Sequence, residues 1–496
     1  MACARLGRGS NVPTGSRRFK AQASSSPATS PCVTATARIA LMHSALAAND
    51  RALAWGRAQR GEIDIIIGTR LAVFTPLARA GLLVVDEEHD SSFKQSDGVR
   101  YSARDLAVFR ARRLDVPIVL GSATPSLESF ANAQSGRYEL LTLAERARPG
   151  AQLPPVRMVD LRRETVRHGL AISLLEALRA RMARGEQSLV FLNRRGYAPV
   201  LMCNGCGWIS NCERCSAHLV VHLQERTLRC HHCGAAAPIP KSCPSCGNID
   251  LLPFGRGTQR LEDTLRLEFP AARVLRIDSD STRNRGTWEA MRARIQQGDV
   301  DILVGTQILA KGHDFPRLTL VGILNADAAL AAADYRAPER LFAQLHQVAG
   351  RAGRADLPGE VLIQTRFPEH PLYVALARND YAAFAATQLA DRAAFGFPPA
   401  IAEAVLRTEA HRIEDALRFL RESLALAPAD EPEVQVYDPV AMSMPRLAGW
   451  ERAHVLAQSR SRKALQRFLT AWTAKLYDRR VPANVRWHID VDPLEF

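Results

Sequence analysis

No run of about 18 apolar residues free of charge occurs in the 496-residue sequence, which excludes an ordinary membrane-spanning helix. The apolar stretches, such as Ile65–Ile67 and Leu82–Val85, are strand-sized. Also missing is the string G-x-x-x-x-G-K-S/T, whose backbone N–H groups and lysine cradle nucleotide phosphates between a strand and a helix. The nearest fragment, Pro13–Arg18, lacks the lysine and its hydroxyl partner and has no strand before it. Aspartate and glutamate are absent from residues 1–37, which are rich in Arg, Ser, Ala, Thr and Pro and show no apolar period. That composition predicts disorder. An organellar transit peptide is one reading of it. A start site set in the wrong place or frame is the other. Cys3 and Cys32 lie in this segment and receive no role.

The net charge is +14. Such a surplus suits a polyanionic partner, DNA or RNA, although an Arg-rich composition alone also produces it. Ten cysteines are present. Eight form four C-x-x-C pairs: Cys203/Cys206, Cys212/Cys215, Cys230/Cys233 and Cys243/Cys246. Disulfide frameworks belong to short secreted chains, so thiolates on a metal in a cytoplasmic chain fit better. Each two-residue spacer makes a tight knuckle that turns both thiolates toward one metal, and two knuckles complete a zinc tetrahedron. Four knuckles therefore predict two closed Zn²⁺ sites with a structural role. Spacing leaves three ways to pair them. His218, His222, His231 and His232 are nearby and read as non-ligands, because eight thiolates suffice. Between Cys215 and Cys230, residues 218–222 and 226–228 alternate like the strands of a hairpin.

From Arg38 onward the texture is α/β. Apolar strands over Ile65–Ile67, Leu82–Val85 and Pro117–Leu120 read as buried, and the last two end in polar clusters, Asp86-Glu87-Glu88-His89 and Gly121–Ser126. Open parallel sheets place ligands at such strand ends. One carboxylate there can hold Mg²⁺ beside nucleotide phosphates and the next can orient the attacking water, which assigns Asp86 to the metal and Glu87 to the water. A second set of strands covers 187–192, 300–307 and 318–324, followed by Gln347–Arg354, QVAGRAGR. Its two arginines, Arg351 and Arg354, suit charge on a transferring phosphoryl group. Residues 410–426 read as a helix, Phe395–Pro399 as a linker turn, and 485–493 as a last strand.

Taken in order, Asp86–His89, Gly121–Ser126, Gly305–Asp314 (GTQILAKGHD) and Gln347–Arg354 resemble motifs II, III, V and VI of superfamily 2 helicases. The wording around them is similar to the PriA (primosomal protein N′) family from about residue 38 to the end. The resemblance implies an α/β fold of two RecA-like helicase lobes, the first incomplete, over 38–150 and over 151–198 with 251–366. A two-zinc insert at 199–250 interrupts the second, and a small α/β DNA-binding-type domain fills 367–496. It implies ATP with Mg²⁺ as cofactor, with Asp86, Glu87, His89, Gln347, Arg351 and Arg354 catalytic and Gly312 and Asp314 also at the nucleotide. It implies a nested zinc pairing: Cys203, Cys206, Cys243 and Cys246 on one ion, Cys212, Cys215, Cys230 and Cys233 on the other. His89–Arg110 resembles the family's aromatic-rich loop, which senses single-stranded DNA and couples it to the ATP site. Phe93, Lys94, Tyr101 and Arg104 are thereby candidate DNA contacts, the aromatics stacking on bases and the cations meeting phosphates. The plainer alternative packs Phe93 and Tyr101 beneath the loop.

The implied activity is 3′-to-5′ DNA unwinding in replication restart. The implied partners are forked or single-stranded DNA, primosome proteins and single-strand-binding protein, with no membrane. In that family the phosphate cradle would sit just upstream of residue 38. Its absence favours a truncated or frame-shifted start, predicts loss of productive ATP binding, and predicts an open strand edge in the first lobe.

Overall fold

The computed structural model describes residues 2–6, 37–143, 153–193, 200–203, 206, 208–214, 218–222, 226–230, 235–254, 258–278, 281, 286–306, 315–330, 334–353 and 357–495. Two compact units divide the chain, residues 1–144 and 145–496. Among the described residues no helix is long and apolar enough to cross a membrane.

In the first unit, β1 (Ala2–Leu6) is followed by β2 (Ile39–Met42), α1 (Ala48–Gln59), β3 (Ile65–Gly68) and β4 (Leu83–Asp86). Then come α2 (Ala103–Leu114), β5 (Ile118–Ser122), α3 (Leu127–Gln134) and β6 (Tyr138–Thr142). β4 and β5 are parallel, in the sheet order β4-β5-β1-β6, while β2 and β3 form a separate parallel pair. Two expectations change here. Ala2–Leu6 is a strand and not disordered, because its backbone pairs antiparallel with both β5 and β6; residues 7–36 lie outside the described residues. β5 is paired on both sides, by β4 and β1, while β4 is an edge strand among the described residues, in keeping with the open edge expected of this lobe. β3 and β4 are less buried than their apolar runs suggest: Ile67 is 53% exposed and Val84 61%. Nothing among the described residues covers that face.

A six-stranded sheet organises the second unit, in the order Val274–Ile277, Ile302–Gly305, Gln187–Leu192, Leu318–Leu324, Glu360–Thr365, Val156–Asp160. Every neighbouring pair in it is parallel. Its central strands are buried on both faces, between one apolar layer around Phe191, Phe342 and Tyr373 and another around Leu174, Val190 and Leu265. That is why they read as continuous apolar runs in the sequence.

Between Gln187–Leu192 and the helix Thr258–Glu268 the chain leaves this sheet to form a ribbon. Five short antiparallel strands make it, in the order Ala236–Pro238, Thr227–Arg229, Val220–His222, Val200–Cys203, Leu251–Phe254. The expected hairpin is the pair Val220–His222 and Thr227–Arg229. Its apolar core is small: Leu201, Leu219, Val221 and Leu228 with Cys212 and Cys230.

The C-terminal part is an antiparallel sheet of Ala402–Ala410, Val434–Val436, Val440–Leu447, Trp450–Ser459 and Val485–Val491, packed with the helices Ile413–Leu424 and Arg462–Asp478. The expected helix over 410–426 is shorter, because Ala410 ends a strand paired to Glu451 and Val485. The buried Trp472 indole donates to Ser423 O at 2.8 Å. Phe397 of the linker turn stacks on Tyr335 at 4.7 Å.

Burial, reinforced by the Arg407 guanidinium, pushes His454 down to about 4. An unfolded histidine takes its proton near 6.5, so between those values the folded domain binds fewer protons than the unfolded chain. This contribution to stability is full above about pH 6.5 and falls as pH drops toward about 4. Melting of the C-terminal domain followed by tryptophan fluorescence is expected to show this loss, and His454→Gln to flatten it. An unchanged profile in that variant would remove His454 as its source.

Candidate functional site

In the first unit the parallel pairing of β4 and β5 sets Asp86 opposite Gly121, so both polar clusters emerge at the same end of the sheet. Asp86 lies exposed at the strand end, with Oδ1 accepting from Glu87 N at 3.0 Å. Glu87 turns at φ 49°, a left-handed conformation rare for a non-glycine residue and concentrated at functional turns. Its Oε2 is buried with no hydrogen bond and lies 3.6 Å from His89 Nδ1. His89 Nδ1 is also 2.7 Å from Ser122 Oγ, which accepts from Thr124 N at 3.0 Å. An exposed carboxylate beside a carboxylate oxygen without a donor fits a divalent cation and an oriented water. This part of the site suits ATP with Mg²⁺. The sequence offers no phosphate-cradling string to complete it.

Glu88 was given no separate role by the sequence, and it is the hub. It is 2% exposed. Its carboxylate accepts from Ser126 N at 2.6 Å, from Ser126 Oγ and Ser129 Oγ at 3.0 Å each, and from Arg104 Nη1 at 3.3 Å. Arg104 Nη1 donates to Ser126 Oγ as well, at 2.8 Å. A buried carboxylate with four donors ties the acidic tetrad, the Gly121–Ser126 turn and the first turn of α2 together. The signal available in sequence was Ser126 with Ser129 one turn on, where Ser126 caps α3 by accepting from Ser129 N.

The loop before α2 is a hairpin closed by the Lys94↔Ser102 bridge and the bond from Gln95 N to Tyr101 O. Phe93 is partly buried against the cluster of Val85, Ala107 and Leu120. Tyr101 meets Phe74 edge-on at 4.9 Å. Both aromatics thus make contacts within the first unit. Arg70 Nη1 donates to Lys94 O at 2.9 Å. Arg104 departs from the expected DNA contact, because its guanidinium is engaged by Glu88, Ser126 and Asp105.

In the second unit Gln347 lies on the helix Ala337–Ala349 and Arg351 is buried in the turn that follows. That turn needs Gly353: at φ 66° a Cβ there would sit 2.6 Å from Gly359 N. Gly312, Asp314 and Arg354 lie outside the described residues.

At the ribbon, Cys203, Cys206, Cys243 and Cys246 come together with all four sulfurs within 4.8 Å of one another. Cys203 Sγ to Cys246 Sγ and Cys206 Sγ to Cys243 Sγ are both 3.6 Å. A zinc–sulfur bond of about 2.3 Å in a tetrahedron sets edges of about 3.8 Å, so the donor set fits zinc. The Trp208 N–H pulls Cys206 down to about 7, while Cys246 rises to about 12 because the neighbouring thiols outweigh the opposing Asn248 N–H. Of the second set, Cys212 and Cys230 are buried in one apolar cluster; Cys215 and Cys233 lie outside the described residues. His218 Nδ1 lies 2.7 Å from Asn211 Oδ1.

Three family profiles match: "Primosomal protein N C-terminal domain" over 393–494, "PriA DNA helicase Cys-rich region (CRR) domain" over 212–238, and "Helicase conserved C-terminal domain" over 250–356. Replication restart protein PriA of Haemophilus influenzae is 43% identical over 456 residues, covering 92% of this chain and 62% of the relative. That of Treponema pallidum is 38% identical over 458 residues, covering 92% and 68%. Among solved structures, RecG bound to a three-way DNA junction aligns with a TM-score of 0.37 at 18% identity, over 71% of this chain and 36% of that one.

Proposed function

This chain belongs to the PriA family of replication restart proteins, and on that premise we propose that it acts as an ATP-dependent 3′-to-5′ DNA helicase of replication restart and primosome assembly. The observation that carries the reading is the Glu88 hub, which links the acidic tetrad, the Gly121–Ser126 turn and the aromatic-containing loop. ATP with Mg²⁺, when bound, supplies the phosphoanhydride whose cleavage drives such a motor. On the protein side, Asp86 would hold the metal and Glu87 would orient water, with His89 set by Ser122. Gln347, Arg351 and Arg354 on the second unit, with Gly312 and Asp314, serve the nucleotide side. Phe93, Lys94 and Tyr101 belong to the DNA-sensing loop, with Arg104 as its internal anchor. Two Zn²⁺ in the nested pairing hold the ribbon. DNA, forked or single-stranded, is the substrate; primosome proteins and single-strand-binding protein are the proposed protein partners, in the cytoplasm.

The four-thiol cluster of the ribbon and the net charge of +14 favour a second reading, a zinc-containing module that binds DNA or primosome partners without hydrolysing ATP. DNA-stimulated ATP hydrolysis by the zinc-loaded chain separates the two. The helicase reading expects turnover that falls by at least about 10²-fold in Glu87→Gln, the usual scale for losing one aligned catalytic group. Background turnover with salt-sensitive DNA binding retained would leave the binding module.

A further inference from the structure

A turn of the C-terminal domain touches the ribbon at a metal-binding knuckle. Arg214 lies within the second knuckle, two residues after Cys212 and one before Cys215. Its N–H donates to Cys212 Sγ at 3.4 Å, the type of bond that settles a thiolate in a knuckle. The carbonyl of the same residue accepts from Gly449 N at 2.7 Å. Its guanidinium reaches back to Ala448 O at 3.4 Å. From the other side, the Arg446 guanidinium donates to Glu213 O. Leu447 packs against the ribbon core, which contains Cys212 and Cys230.

The turn making these contacts is built stiff. Ala448 and Gly449 stand at φ 53° and 86° between the paired residues Leu447 and Trp450. Two left-handed residues in a two-residue loop match the twist of the flanking strands. Trp450 is braced by the Arg486 guanidinium at 3.9 Å and by His411 at 4.2 Å. A rigid turn thus grips the backbone of a loop whose shape a metal would set.

We propose that Arg446–Gly449 is a clasp through which metal loading of the Cys212 knuckle and docking of the C-terminal domain stabilise each other. The proposal rests on the reading of the ribbon as zinc-binding. Without metal, Glu213 and Arg214 lose the constraint that presents their carbonyls, and the turn loses two of its acceptors. Coupling free energy is reciprocal, so undocking the turn must weaken the metal by the factor that metal loss weakens docking. The ligand state of the ribbon would then govern how the C-terminal domain is held.

Hydrogen exchange on the full zinc-loaded chain tests this. Peptides within 440–456 are expected to exchange about tenfold faster, or more, after the metal is chelated. Conversely, Leu447→Asp should release zinc to a chelator about tenfold faster, with the milder Arg446→Ala moving in the same direction. Unchanged protection of 440–456 after metal removal overturns the coupling. So do wild-type release rates in both variants. Metal content of the purified chain separates the two readings: a chain that holds no zinc yet protects 440–456 would refute the zinc reading and the clasp together, whereas a zinc-loaded chain indifferent to chelation at 440–456 refutes the clasp alone.

Discussion

Replacing Cys203 with serine is expected to remove one zinc equivalent per chain and to unfold the ribbon over 200–254 while leaving the six-stranded parallel sheet intact. The ribbon cannot hold itself by apolar burial. Among the described residues its buried aliphatic side chains are Leu201, Leu219, Val221 and Leu228, with four cysteines of its knuckles buried as well, and its strands are three or four residues long. Structural zinc contributes apparent binding energies of about 10–16 kcal/mol in small domains, far above what four aliphatic side chains supply at about 1.5–3 kcal/mol each before chain entropy is counted. Cys203 is also the last residue of a ribbon strand, with its N–H donating to Trp208 O at 2.7 Å. Losing its thiolate therefore releases both the tetrahedron and the strand that leads into it. Disturbing a ligand's neighbour already weakens metal by about 10–100-fold, so losing a ligand is expected to exceed that. Metal analysis gives the stoichiometry, and hydrogen exchange shows where structure is lost. Wild-type zinc content with a protected ribbon would refute the assignment of Cys203 as a ligand.

Local pattern carried the sequence reading furthest where local chemistry decides the outcome. Gln187–Leu192 and Leu318–Leu324 have the bounds read from the sequence, because strands buried on both faces admit few polar residues. The C-x-x-C knuckles were legible because two residues is the spacer that turns two thiolates to one side. What escaped depends on partners distant in the chain. β1 pairs with strands more than a hundred residues away, which no composition of residues 1–37 reveals. The apolar runs of β3 and β4 promised burial on both faces, yet burial needs a covering layer, and the strands alone do not provide one. The expected DNA contact at Arg104 gave way to Glu88 because a buried carboxylate needs a cation or donors nearby, and Arg104 is within reach. Arg214 meets Ala448 across 234 residues, a contact to which neither segment's pattern points.

Removing the Arg104 guanidinium is expected to destabilise the first unit by about 3–5 kcal/mol, the usual cost of stranding one member of a buried ion pair. In Arg104→Met, Glu88 would keep its bonds from Ser126 and Ser129, but its charge would remain buried without a cation. Of the pair's side chains, Glu88 is 1% and Arg104 18% exposed, so water cannot readily substitute. The loss should be local. Exchange should quicken in β4, β5 and the first turns of α2 and α3, which the hub joins, while the second unit stays unchanged. Pairing the change with Glu88→Gln removes the stranded charge and keeps one acceptor oxygen for the serines, so the double variant is expected to recover part of the loss. That non-additivity distinguishes a charge pair from simple loss of packing around the arginine stem. Hydrogen exchange of both variants checks it. If Arg104→Met costs less than about 1 kcal/mol, or if the double variant is worse than either single one, the hub is not held by this ion pair. The same pair bears on the motor. Arg104 lies in the first turn of the helix that follows the hairpin of Phe93 and Tyr101, and Glu88 follows directly on Asp86 and Glu87. Where the chain turns over ATP, Arg104→Met is therefore expected to lower the stimulation by DNA more than the basal rate. An equal loss of both would make the pair a brace for the sheet alone.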